Sequence, residues 1–290
     1  KGRQSSLVRN QLTLDLSRKD VCDYITEAVS DVLNKANIEY VKWDMNRYMS
    51  EVGSSELPAD RQGEVKHRYM LGLYSVLETL TQRFPNVLFE SCASGGGRFD
   101  PGMLYYMPQA WASDNTDPIE RLTIQFGTTM CYPASSMGAH VSACDRTGIE
   151  TKAAVAMAGT FGYELDPKEM SEEDKEKVKE QVKNYHRYYN VIHFGDLYRI
   201  IAPTDDEFKC AWEYVAKDKS EALLTVVIKN RAPHDFLLIK MKGLDPEKMY
   251  RDETDGEIYS GALLMNAGIN LTDGTLSAGR SFIRYFTEVK

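Results

Sequence analysis

From Gln11 to Leu165, apolar runs of strand length alternate with amphipathic stretches of helix length, and from about His193 the helices stop. That change of rhythm constrains the fold more than any other feature. The strand-like runs are Gln11–Ser17, Ile38–Asp44, Asn86–Cys92, Met107–Asp114, part of Thr129–His140, and Thr160–Leu165. Between them, Val21, Ile25, Val29 and Val32 recur at helical spacing, and Lys66–Phe84, Ile119–Gly127 and Thr151–Ala158 also read as helices. Strands alternating with helices of this length predict β-α units around a parallel sheet, an α/β fold. A closed (β/α)8 barrel needs eight strands and the runs number about six. The pattern therefore fits either an open sheet or a (β/α)8-type barrel lacking its first units. In both, polar and glycine-rich loops after the strands are where chemistry is placed.

Asp166–Ile192 reads as one long helix, with Ser171 and Asp174 forming a capping box and a charge run behind them that suits a solvated face. The runs that follow, in EALLTVVIKN, DFLLIKMKG, MYRDETDGEIYSG and SFIRYFTEV, have no helices between them, and Asp255-Gly256 signals a tight turn. We expect two domains: a partial barrel over 1–192 and a small antiparallel β domain over 193–290. A net charge of −8 argues against nucleic acid or an anionic membrane as partner. Five cysteines without a CxxC indicate neither a disulfide framework nor a zinc site, and a cytoplasmic setting is the simplest expectation. No run is long and apolar enough for a membrane span, and KGRQSSLVRNQ has no signal-peptide core.

Three stretches carry candidate chemistry. In VKWDMNR, Lys42 and Asp44 are two apart on a strand and point to one side, where each favours the charged form of the other; Asn46 follows with the same parity. In WASDNTDP, Asp114 lies just past an apolar strand, whereas Asp117 before Pro118 reads as a helix N-cap. Two carboxylates at two strand ends are what glycoside hydrolysis needs, one as nucleophile and one to protonate the leaving oxygen. The tryptophan near each can stack on a sugar. In ESCASGGGRFDPG, the absence of a Gly-Lys-Ser/Thr ending and of GxGxxG argues against a nucleotide, and Gly95–Gly97 let the backbone approach a ligand. Cys92 as a catalytic thiol lacks a base nearby in sequence. His67, His140, His186, His193 and His234 show no metal spacing. Arg9, alone, reads as a surface residue.

Taken together and in this order, VKWDMNR, ESCASGGGRFD and WASDNTDPIERL, with RNQLTLDLS and GDLYRI, resemble the microbial α-galactosidases of glycoside hydrolase family 36. The resemblance covers essentially the whole chain. It implies the portion of a longer enzyme from within its barrel to its C-terminal β domain, and retaining hydrolysis of terminal α-linked galactose with no metal or cofactor. By resemblance Asp44 is the nucleophile and Asp114 the general acid and base, while Arg9, Lys42, Asn46, Cys92, Gly95 and Trp111 line or adjoin the galactose pocket. It implies a galacto-oligosaccharide substrate and, in the full-length enzyme, a homo-oligomer. The family's acidic pair that grips the sugar's 4- and 6-hydroxyls has no equivalent here, and the chain alone is expected to turn over little. The other readings are a non-catalytic carbohydrate-binding fragment and a transglycosidase that passes galactose to another sugar.

Overall fold

The computed structural model describes residues 7–144, 146–231, 236–272 and 276–289. The chain forms two compact units, 1–114 and 115–290.

In the first unit the order is α1 (Lys19–Lys35), β1 (Tyr40–Asp44), α2 (Val65–Arg83), β2 (Leu88–Cys92), α3 (Pro101–Tyr106) and β3 (Gln109–Trp111). The three strands pair in parallel in that order. Leu73, Leu77 and Leu80 from α2 meet Phe89, Met103 and Met107 in one core, with Val41 and Trp43 packed against it. Burying Leu77, Leu80 and Phe89 stabilises the unit by about 1.5–3 kcal/mol each. One face of β1 is thereby committed to the helices, and the two-residue period turns Tyr40, Lys42 and Asp44 to the other. The predicted helix after Gln11–Ser17 is α1, but its buried face is rotated: Cys22, Thr26, Ser30 and Leu33 are covered and Val32 is exposed.

Gln11–Ser17 itself is not a strand. It carries only an isolated bridge, Val8 to Gln11, and Leu12 and Leu14 are exposed. Alternating leucines supply the side-chain pattern, but a strand also needs a hydrogen-bonding neighbour, and among the described residues this segment has none beyond that bridge.

The second unit continues with α4 (Pro118–Thr129), β4 (Met137–Ser142), α5 (Ile149–Ala156), β5 (Thr160–Glu164) and α6 (Glu172–Phe194). β4 and β5 pair in parallel. Asp117 caps α4 as expected: its Oδ1 accepts from the backbone N–H of Ile119 and Glu120, with Pro118 at the first helical position. Ser171 likewise accepts from the N–H of Asp174 and starts α6. Glu172, Glu173 and Asp174 suit the positive end of that helix, and its first turns stay solvated through pairs such as Lys177–Glu173. Only its second half is buried, through Tyr185, Tyr188, Val191 and Ile192.

The tail contributes β6 (Asp196–Ile201), β7 (Lys209–Val215), β8 (Glu221–Ile228), β9 (Leu238–Ile239), β10 (Met249–Asp252), β11 (Ile258–Ser260), α7 (Gly261–Asn266), β12 (Ile269–Asn270) and β13 (Ser281–Glu288). Six of these strands form an antiparallel sheet in the order β11-β10-β13-β8-β7-β6, and β9 and β12 pair separately. Asp255-Gly256 turns the chain between β10 and β11, Gly256 taking the left-handed φ of +82° that glycine tolerates. A short helix, α7, interrupts what the pattern presents as strands only; Ser260 caps it by accepting from the N–H of Leu263. One face of the sheet packs against the helices of the same unit: Tyr214, Leu223 and Tyr285 share a core with Ala153, Ala156, Tyr188, Val191 and Ile192. The other face closes over Leu237, Ile239, Met241, Tyr250 and Leu264.

Candidate active site

Strand register assembles the site in the first unit. Lys42 lies opposite Glu90 and Asp44 opposite Cys92; Glu90 lies opposite Gln109 and Ser91 opposite Ala110. Trp111, the next residue of β3, therefore falls in line with Cys92 and Asp44. Side-chain parity puts Lys42, Glu90 and Gln109 in one layer and Asp44, Cys92 and Trp111 in the next, nearer the strands' C-terminal ends.

Both layers are tied by polar contacts. Glu90, fully buried, accepts from Gln109 Nε2 at 2.6 Å and from the Tyr40 hydroxyl. Lys42 Nζ is 3.8 Å from Glu90 Oε1 and 4.4 Å from the centre of the Trp111 ring. The Lys42 ammonium thus sits between a carboxylate and a π face, both favourable to the cation. Asn46 Nδ2 donates to Asp44 Oδ2 at 2.6 Å, and Asn46 Oδ1 accepts from both the N–H and the hydroxyl of Ser94 at 3.1 Å. The Ser94 donors fix which way the Asn46 amide faces, so its NH2 is presented to Asp44.

Trp111 Nε1 donates to Asp114 Oδ1 at 3.1 Å. The glycine-rich loop lies against the backbone of Asp114. Gly95 has φ +85°, and a Cβ there would stand 2.7 Å from Ser113 Cα and 3.0 Å from Asp114 N. A side chain on Gly96 would stand 2.8 Å from Ala112 O. Asp44 and Asp114 therefore flank the same loop, Asp44 reaching it through Asn46 and Ser94, Asp114 through direct backbone contact at Gly95.

The Cys92 thiol is held up to about 11 by burial, with the Asp44 carboxylate adding to the effect. Protonated at neutral pH, it is a poor nucleophile.

Of the residues singled out from the sequence, Lys42, Asp44, Asn46, Cys92, Gly95, Trp111 and Asp114 come together. Arg9 does not join them: it sits on an exposed turn at φ +52°, beside Asn10 at φ +58°, and no hydrogen bond or ion pair among the described residues ties it to either aspartate. Its segment is anchored at one remove. Arg47, buried, donates from Nε to Gln11 O at 3.0 Å and pairs with Glu51.

Arg47 is one of three residues that the sequence reading passed over, with Glu90 and Arg98. Each stands inside a motif already quoted. A charged residue that must be buried next to other charged residues was the available signal. His234 lies outside the described residues, and among the described residues no group of histidine, cysteine, aspartate and glutamate is arranged to hold a metal ion.

Comparison with known families decides the lineage. The melibiase family model matches residues 1–195, and the glycosyl hydrolase family 36 C-terminal domain model matches residues 209–285. The chain belongs to the melibiase family. Among its relatives, α-galactosidase AgaA of Geobacillus stearothermophilus is 51% identical over 279 residues, covering 93% of this chain and 38% of the relative. Mel36A of Lactobacillus acidophilus, also an α-galactosidase, is 46% identical over 274 residues, covering 92% of this chain and 37% of the relative. The crystal structure of the family 36 AgaA superimposes with a TM-score of 0.95 at 48% identity, over 99% of this chain and 41% of that one. A variant of the same enzyme solved with raffinose gives a TM-score of 0.96 at 48% identity, over 99% of this chain and 41% of that one. The α/β class of this melibiase-family chain, with five parallel-type β-α strands before an antiparallel sheet, is that of these enzymes. The chain spans well under half the length of the relatives it matches.

Proposed function

We propose that this chain carries the catalytic carboxylates of a retaining α-galactosidase. The observation that carries the reading is the pair Asp44, at the end of β1, and Asp114, three residues past β3, both set around the loop Cys92–Gly95. Asn46 engages one oxygen of Asp44, which orients the other toward an anomeric carbon. An Asp44 oxygen forms the C–O bond to that carbon as the glycosidic C–O bond breaks, and Asp114 gives its proton to the departing oxygen. Water then attacks the anomeric carbon, Asp114 takes a proton from it, and Asp44 leaves as carboxylate. Two displacements retain the anomeric configuration. No step calls for a metal or a cofactor. Lys42, Trp111 and Cys92 form the floor and wall on which a galactosyl ring would lie.

Raffinose and stachyose are among the ligands with which AgaA variants were crystallised, and α-galactosides of that kind are the substrates we infer. Transfer to a second sugar uses the same intermediate, so product analysis at high acceptor concentration separates it from hydrolysis. We read the chain as two domains, 1–192 and 193–290; the changeover between the two family matches at 195–209 supports that division. All five cysteines are free, Cys22, Cys92 and Cys210 buried, which supports a cytoplasmic setting. No described helix is long and apolar enough to cross a membrane. Homo-oligomerisation of the full-length enzyme belongs to the same reading and is checked by sedimentation.

The test is Asp44→Gly in the full-length polypeptide with an aryl α-galactoside and added azide. A galactosyl azide product of inverted configuration supports the nucleophile assignment; its absence, or unimpaired turnover by Asp44→Asn, overturns it.

A further inference from the structure

Arg98 is a half-buried cation that the proposed chemistry does not use. The chain delivers it by a tight reversal: Ser94 at φ +49° and Gly95 at φ +85° are consecutive left-handed residues, the N–H of Ala93 donates to Gly95 O at 2.9 Å, and that of Phe99 donates to Gly96 O at 3.1 Å. Asp100 follows at once as the cap of α3, accepting from the N–H of Gly102 and Met103. Arg98 is thus fixed on both sides.

Its Nη2 donates to Cys92 O at 2.8 Å and to Trp43 O at 3.4 Å. These are main-chain carbonyls on two different strands, at the point where the β1–β2 ladder ends. The last rung is the N–H of Met45 donating to Cys92 O at 3.0 Å, so Cys92 O accepts from both the ladder and the guanidinium. Asp44 lies between Trp43 and Met45 and therefore between the two anchored points.

Arg98 Nε is buried with no hydrogen-bond partner among the described residues. Burial lowers the pKa of Arg98, and the Asp44 carboxylate is among the groups that oppose the drop. A desolvated guanidinium costs stability, and an apolar residue would fill the same space without that cost.

We propose that Arg98 is a positioning residue that clamps the carbonyls of Trp43 and Cys92 and so fixes the main chain from which Asp44 projects. The inference rests on the reading of Asp44 as nucleophile for its catalytic meaning, but the clamp itself is a statement about backbone order. Both carbonyls accept from the one nitrogen Nη2, whose two hydrogens are held in the rigid guanidinium plane; the ammonium of a lysine rotates freely on a flexible stem and fixes them less well.

The experiment uses the full-length polypeptide with Arg98→Lys, Arg98→Met and Arg98→Ala, read by hydrogen exchange and by turnover per active site. Exchange in peptides spanning 43–47 should rise about tenfold or more in Arg98→Met, with peptides from the α2 core over 73–80 unchanged. Turnover should fall roughly 100-fold with KM altered far less, as for a misplaced reacting group. Arg98→Lys should fall between, and millimolar guanidinium should restore both readouts in Arg98→Ala. Unchanged exchange at 43–47, or a rise shared equally by 73–80, overturns the clamp. Failure of all three variants to fold, with no recovery in guanidinium, assigns Arg98 to general stability and also overturns it. Retention of full activity by Asp44→Asn would instead remove the glycosidase reading and leave the exchange result standing.

Discussion

Glu213 gives the sharpest test of the electrostatics. It lies in β7 on the face shared with Ala211 and Val215, is fully buried, and accepts from the N–H of Lys242 through Oε1. Its Oε2 is buried with no hydrogen-bond partner among the described residues. Burial raises its pKa from 4.5 to about 8. The folded state therefore binds more protons than the unfolded state between these values, and stability must fall as pH rises through that window. It is fully present below the unfolded value and lost as pH passes the folded one. With about 1.4 kcal/mol for each tenfold change in proton affinity, the ceiling is about 5 kcal/mol, and water entry or relaxation lowers it. Glu213→Gln keeps the shape and removes the titration. Urea denaturation of both proteins at intervals from pH 4.5 to 8.5 gives their stability difference. The wild type should lose ground to the variant steadily by several kcal/mol across that range. His193, whose pKa burial lowers, contributes a slope of opposite sign to both proteins and cancels in the difference. A difference that does not change with pH refutes the buried, proton-bound carboxyl.

Gly95→Ala forces an alanine into φ +85° against the backbone of Ser113; strain of about 1–2 kcal/mol and displacement of Asp114 should lower kcat/KM roughly 100-fold, with the melting temperature falling only a few degrees, read by steady-state kinetics and scanning calorimetry. Trp111→Phe keeps an aromatic face but loses the donor to Asp114, so kcat should fall about 10- to 100-fold while far-UV circular dichroism is unchanged. Arg284 Nη1 donates to Asp252 Oδ2 at 3.1 Å, and Asp252 is fully buried; Arg284→Met should therefore destabilise the protein by about 3 kcal/mol in chemical denaturation.

The sequence was most legible where one local signal decided the outcome. Asp117-Pro118 and Ser171 start helices because a side-chain oxygen before a helix start meets free N–H groups, and neither needs tertiary context. That Lys42 and Asp44 share one side of β1 followed from strand parity alone, but among the described residues they do not pair with each other: Asp44 accepts from Asn46. What parity could not give was the partner across the ladder: Lys42 is paired with Glu90, forty-eight positions away, because parallel register sets them opposite. The leucines of Gln11–Ser17 alternate as a strand's would, yet among the described residues the segment finds no pairing, which no local pattern encodes, beyond the Val8–Gln11 bridge. Arg98 was hidden for a related reason. It follows a glycine-rich run, and only the left-handed pair Ser94 and Gly95 turns it back to two strand ends.

The sheet of the tail shares its inner face with α5 and α6. Tyr188, Val191 and Ile192 from the helical stretch and Tyr214, Leu223 and Tyr285 from the strands bury one another. Trimming the protein after α6 would leave an aromatic and aliphatic surface open to water and prone to aggregation. Exchanging tails among homologous enzymes would meet the mirror of that difficulty, since each graft must match the helices it lands on. Chimeras joined within β5, carrying both α6 and its covering strands from one parent, should remain soluble where those joined at the helix end precipitate.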